Sequence, residues 1–125
     1  MTGRIRIHAG AVSMIAELND SPTAAAVYEA LPLVVSAQTW GDEIYFPIPV
    51  DQKLDDTAVE VVTEGDLGYW PTGRAFCIFF GPTPASRGEE IRPASAVNLI
   101  GRVLGDAKAF RSFRDGDLVR LECDS

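Results

Sequence analysis

Few side chains in this sequence are of the kinds that do covalent chemistry. There is one His, His8, and there are two Cys, Cys77 and Cys123, which is too few for most zinc sites and most His-based catalysis. The two Cys are far apart and fit no metal or redox spacing, and Cys77 lies inside an apolar run, where a thiol acts as a small core residue. Ser86 and Ser95 have no His in their sequence context, so a Ser-His-Asp arrangement would have to draw on His8. The turn from Gly65 to Gly68 is acidic and has no Gly-Lys-Ser/Thr after it, so it is not a phosphate loop. The acids between Asp51 and Asp56 lack EF-hand spacing. No catalytic set, metal or cofactor is therefore expected.

Residues suited to binding are better represented. Trp40 and Trp70 are the only tryptophans, and each sits beside a Gly or Pro at the end of a strand-like run. A Trp in such a place either fills a core or walls a cleft, presenting a large face and one donor. Tyr45 and Tyr69 carry the same two readings. On a strand, Glu43 shares a face with Tyr45, while Ile44 and Phe46 share the other. Glu43 is thus either a surface carboxylate or a pocket acid. Arg74 opens the most apolar run in the chain and must reach water, an acid such as Glu43, or an anionic ligand. Ser95 and Asn98 either satisfy buried backbone groups or donate to a ligand.

The chain behind these residues has 125 residues, 46% hydrophobic and 23% charged, which is one domain's worth of globular chain. The net charge of −7 is a poor footprint for nucleic acid or an anionic membrane. It is also uneven. Residues 1–66 hold eleven acids and three bases, whereas residues 67–125 hold seven acids and eight bases. Between Asp42 and Asp66, eight acids face only Lys53. Such a stretch is either a solvated surface or an acidic rim that favours a cationic partner. The first residues carry Arg4 and Arg6 without an apolar segment behind them, and no window approaches 18 apolar residues. A cytoplasmic protein without a membrane span is expected, in keeping with the sparse cysteines.

The elements that must position these residues are short. Arg4 to His8 alternates as a strand, Gly10 turns, and Ala11 to Leu18 returns. Ser21 and Pro22 open a helix over Thr23 to Leu31, closed by Pro32. Leu33 to Gln38, Glu43 to Ile48, Ala58 to Val62, Leu67 to Trp70, Arg74 to Phe80 and Ala96 to Leu104 read as strands. The run at Arg74 is apolar on both faces, as for a strand covered on both sides. Gly81 to Pro93 is a long loop with three prolines. Asp106 caps a short helix through Phe113, and Leu118 to Cys123 alternates as the last strand. About eight short strands with Gly/Pro turns argue for a closed or nearly closed barrel, its ends plugged by the two helices.

Several stretches also resemble a known family. Gly73-Arg74-Ala75-Phe76-Cys77-Ile78-Phe79 resembles a cyclophilin strand reading Gly-Ser-Gln-Phe-Phe-Ile. Asn98-Leu99-Ile100-Gly101-Arg102-Val103 resembles the cyclophilin Val-Val-Phe-Gly-Lys-Val strand. More specifically, the chain resembles a small prokaryotic cyclophilin-like family of unestablished function. The hallmarks are Trp40-Gly41-Asp42-Glu43-Ile44-Tyr45-Phe46, Gly65-Asp66-Leu67-Gly68-Tyr69-Trp70-Pro71, Phe79-Phe80-Gly81-Pro82-Thr83-Pro84 and Pro93-Ala94-Ser95-Ala96-Val97-Asn98. The resemblance implies a mainly β, closed eight-stranded barrel with two short helices, spanning residues 1–125 as a single domain.

It also raises prolyl cis/trans isomerisation, in which an Arg of a Phe-His-Arg motif weakens the double-bond character of an amide whose barrier is ~18–20 kcal/mol. Here the corresponding stretch is Ala37-Gln38-Thr39-Trp40-Gly41, without Arg or His, and Cys77 replaces the second Phe of the proline pocket.

The reading is a binding module with an aromatic-lined cleft for a small molecule or peptide, acting as monomer or homodimer. Trp40, Glu43, Tyr45, Tyr69, Trp70, Arg74 and Asn98 are the candidate ligand-binding residues. An isomerase with an atypical site and a protein-interaction or oligomerisation module are the alternatives.

Overall fold

In the computed structural model, which describes residues 3–124, the alternation in the sequence becomes a continuous antiparallel sheet. β1 (Gly3–Ala9) and β2 (Val12–Leu18) form a hairpin, with Gly10 at φ +57° in its turn, a conformation that a side chain disfavours. Ser21 caps α1 (Pro22–Ala30), its hydroxyl accepting from the Ala24 N–H at 3.1 Å. β3 (Leu33–Ser36), β4 (Gln38–Thr39), β5 (Glu43–Pro47) and β6 (Ala58–Val59) follow. β7 (Asp66–Trp70), β8 (Ala75–Phe79), β9 (Val97–Val103), a 3₁₀ helix (Ala107–Ser112) and β10 (Leu118–Cys123) complete the order.

The strand order is β3-β10-β1-β2-β9-β7-β8-β5-β4, with β6 on β9. β3 and β4, at the two ends of this path, are halves of one extended segment interrupted at Ala37. The backbone N–H and C=O of Ala37 bond instead to Asp117 and Gly116. The path therefore returns on itself as a nearly closed barrel. Ten strands are present among the described residues, rather than about eight. Interruption divides the expected run Leu33 to Gln38, and the expected strand Ala58 to Val62 shrinks to two residues plus an isolated bridge from Val62 to Ile91.

Alternation sorts the side chains into two cores. Ile5, Ile7, Ile44, Phe46, Phe76 and Ile78 fill the barrel. Ala24 and Val27 of α1 close one end. Ala107 and Phe110 of the 3₁₀ helix close the other, beyond the opposite end of β2. A second, smaller core lies outside the sheet, where Cys77, Phe79, Val97, Val62 and Ile91 are covered by the loop over residues 81–96. β8 is thus buried on both faces, which explains its unbroken apolar run.

One irregularity decides which residues of β9 join each core. Leu67 pairs with Gly101, but Gly68 pairs with Leu99, so Ile100 is an extra residue on β9. This bulge reverses the alternation. Val103 and Ile100 face the barrel, whereas Leu99 and Val97 face the outer core. Gly101 beside the bulge is obligatory, since a Cβ there would lie 2.1 Å from the Glu17 carbonyl oxygen on β2.

Candidate functional site

The outer core is open at one side, leaving a cleft of about 210 Å³ lined by Trp40, Glu43, Tyr45, Trp70, Cys77, Pro93, Ala94 and Val97. Strand register builds it. Glu43 and Tyr45 lie on the outer face of β5, opposite Phe79 and Cys77 of β8. Trp70 ends β7 on the same face, and Val97 begins β9 beside it. Gly68 permits this arrangement, because a Cβ there would meet Val97 at 3.0 Å and Phe79 at 3.1 Å.

The surrounding loops lock against one another. Gly41, at φ +62°, packs against Thr83 and Pro84, where a Cβ would approach within 2.9 Å of the Thr83 Cα. The Asp42 N–H donates to the Pro82 carbonyl and the Phe80 N–H to the Asp42 carbonyl, each at 2.9 Å. The loop's own knot uses Ser86, whose hydroxyl accepts from the N–H groups of Thr83 (2.9 Å) and Arg92 (3.2 Å). Trp70 donates its indole N–H to the Ser95 hydroxyl at 2.6 Å, and Tyr45 donates to the Gln38 side chain at 2.9 Å. Two of the three aromatic walls, Trp70 and Tyr45, are therefore held in place by their polar ends.

Glu43 is 6% exposed, and its Oε1 has no hydrogen-bond partner. Burial raises its carboxyl from 4.5 to about 7, offset in part by the neighbouring Cys77 thiol. The thiol is itself pushed well above its ordinary value, first by burial and then by the charge of Glu43. The residues lining the cleft include no Lys, Arg or His. The carboxyl thus borders an apolar, aromatic space to which no described residue brings a cation.

Four of the expected site residues, Trp40, Glu43, Tyr45 and Trp70, come together in this cleft. Three do not line it. Tyr69 alternates to the opposite face of β7. It is fully buried in the barrel, where its hydroxyl donates to the Val50 carbonyl at 2.6 Å. Asn98 is also fully buried. Its Oδ1 accepts from the Asp55 N–H (2.8 Å), and its Nδ2 donates to the Thr23 hydroxyl and the Lys53 carbonyl (both 2.9 Å). Arg74 is exposed in the turn before β8, at φ +49°, and lies 3.7 Å from Asp51 rather than pairing with Glu43. Ser95 sits at the rim as the Trp70 acceptor.

Cys77, Pro93, Ala94 and Val97 line the cleft without having been expected there. Pairing the faces of β5 and β8 would have revealed Cys77, but that pairing is fixed by the barrel. His8, which has no partner near it in sequence, meets Glu122 at 2.8 Å across β1 and β10, and this pairing holds the Glu122 carboxyl below its usual range. Among the described residues, no group of three or more His, Cys, Asp or Glu could hold a metal ion, and no helix is long and apolar enough to cross a membrane.

The same architecture occurs in solved structures. A hypothetical protein from Archaeoglobus fulgidus, known from its solution structure, superposes with a TM-score of 0.83 at 39% sequence identity. The match covers 98% of this chain and 95% of that one. No curated protein matches the chain. The four sequence stretches that frame the cleft are those whose likeness to cyclophilin-like proteins is evident in the sequence, and residues 3–122 match the Cyclophilin-like protein family. With the barrel, its two capping helices and the extent of that match in agreement, the chain belongs to the cyclophilin-like family.

Proposed function

We propose that this chain is a binding module whose site is the aromatic cleft on the outer face of β5, β7 and β8. The observation carrying this reading is the buried Glu43 carboxyl with an unpartnered oxygen, in a space walled by Trp40, Tyr45 and Trp70. Unpartnered buried polar atoms are rare and costly, and a mostly apolar cleft with one convergent polar group is the usual form of a small-ligand site. At about 210 Å³ the space is smaller than the ~300–1,000 Å³ that holds drug-sized ligands. It suits a compact small molecule or one side chain of a peptide.

Isomerisation is less well supported. Its chemistry needs a guanidinium at the prolyl nitrogen, whereas this cleft presents a carboxyl. Arg74 is turned to Asp51, and Arg92 is bound to Glu90 at 2.6 Å.

A thermal-shift screen against small metabolites and short peptides tests the binding reading. A ligand at 100-fold its Kd adds about 2.7 kcal/mol, or on the order of 10 °C for a domain of this size. The expected result is a stabilising class of compounds whose effect is lost in Trp40→Ala. Hits that survive both Trp40→Ala and Trp70→Ala would place binding elsewhere and overturn the assignment of this cleft.

A further inference from the structure

We infer that the cleft takes a compact cation, a primary or secondary ammonium carried on an apolar body, with Glu43 as its counter-ion. The inference rests on the binding reading above and narrows it to a ligand class. Three features converge on it. The unpartnered Oε1 of Glu43 belongs to a side chain 94% removed from solvent, and no base lines the cleft to neutralise it. The cation that would stabilise this buried group as a carboxylate can be supplied by a ligand entering the cleft. The walls include Trp40, Tyr45 and Trp70, of the side-chain types that best attract an ammonium through the ring quadrupole. Lastly, Glu43 lies in the stretch from Asp42 to Asp66, which carries eight acids against one lysine and so favours a cation over an anion as ligand.

No other group competes for the counter-ion position. Cys77, on β8, is a neutral thiol held well above its ordinary value. Tyr45, on β5 itself, is engaged with Gln38. Asp42 packs against Gly81. Arg92, next to Pro93 in the covering loop, is engaged by Glu90 (2.6 Å) and Glu60 (3.9 Å). An entering ammonium meets Glu43 as a carboxylate, and any proton that Glu43 carries is released to solvent. Affinity therefore rises roughly ten-fold from pH 6 to pH 8, as the ionised fraction of a group titrating near 7 grows.

The ammonium can belong to a free amine or to a lysine side chain of a peptide. Two probe pairs separate these sources: benzylamine with benzyl alcohol, and N-acetyl-lysine amide with N-acetyl-norleucine amide. The chain's only two tryptophans both line the cleft, so intrinsic fluorescence reports its occupancy directly. In the wild-type protein at pH 8, at least one amine should bind ten-fold or more tighter than its neutral counterpart. This is the range expected for one charge-assisted hydrogen bond. The preference should shrink at pH 6 and vanish in Glu43→Gln.

Equal binding of amine and neutral probe, or an amine preference that survives Glu43→Gln, would overturn the ammonium assignment while leaving the cleft as a binding site. No change in tryptophan emission with any of the four probes would overturn the ammonium assignment and count against the cleft as well. The wild-type comparison does not depend on the variant's folding.

Discussion

At the scale of single residues, Glu43 shapes both the site and the stability of the unliganded protein. A carboxyl displaced from 4.5 to about 7 binds its proton more tightly in the folded than in the unfolded state. The folded state is therefore unpenalised below about pH 4.5. It loses stability as pH rises towards 7, and is penalised uniformly above that. Linkage puts the full penalty on the order of 3 kcal/mol. Glu43→Gln removes the titration. Melting curves of wild type and variant from pH 4 to pH 9 should show the variant gaining on the wild type by on the order of 10 °C between pH 4.5 and 7, then running parallel. A pH-independent difference would mean that Glu43 is solvated or internally paired. The neighbouring Cys77 thiol, raised by burial, should resist alkylation under native conditions.

At the scale of elements, the barrel is a scaffold and the loops frame the site. Asn98 illustrates the link. From the first part of β9 it holds α1 through Thr23, and the loop between β5 and β6 through Lys53 and Asp55. Thr23 and Thr57 hold the Asp55 carboxylate, keeping it below its usual range despite partial burial. Asn98→Ala leaves Asp55 N–H and the Lys53 carbonyl without their partner. It should cost roughly 3 kcal/mol in denaturant unfolding. Binding at the cleft should survive in the folded fraction, because Asn98 does not line it. A loss of affinity at unchanged stability would instead make Asn98 part of the site. The bulge at Ile100 works at the same scale, since without the extra residue Val97 and Leu99 would point into the barrel and the cleft would lose its floor.

At the scale of the whole molecule, two cores of unequal size imply two levels of stability. The barrel core runs through every major strand and both capping helices, whereas the outer core depends on the 81–96 loop, with a single bridge between Val62 and Ile91. Native-state hydrogen exchange should find amides of β1, β2, β7, β8 and β9 opening only with global unfolding. Amides over residues 82–95 should exchange orders of magnitude faster, by local detachment of the loop. Ligand in the cleft stabilises the folded state both against detachment of the loop and against global unfolding, so it should slow both groups by a similar factor. Uniform protection would show that the two cores open as one.

Much of this protein was legible in its sequence, for reasons that are local. The alternation of Ile5 and Ile7, the Ser21-Pro22 helix start, the two-faced apolar run of β8 and the Gly/Pro punctuation each encode an element through its own period or turn chemistry. The family motifs carried the barrel and led to the cleft, because Trp40-Gly41-Asp42-Glu43 and Phe80-Gly81-Pro82-Thr83 pack directly on one another. Strand parity also put Glu43 and Tyr45 on one face.

Other features depended on tertiary contacts. Whether that face was wet or covered depended on a loop forty residues away. Tyr69 and Trp70 are chemically alike neighbours, and only the fold sends one into the barrel and the other to the cleft. His8 found Glu122 at a separation of 114 residues. Arg74 turned away because its φ of +49° places it in the turn and not on the strand. Periodicity and turn chemistry are properties of a few consecutive residues, so the sequence alone determined most of the strands, the two helices and their order, but not the break at Ala37 or the shortening of β6. Burial, charge pairing and the raised affinity of Glu43 for its proton are properties of neighbours distant in the chain, and only the closed barrel with its covering loop decided them.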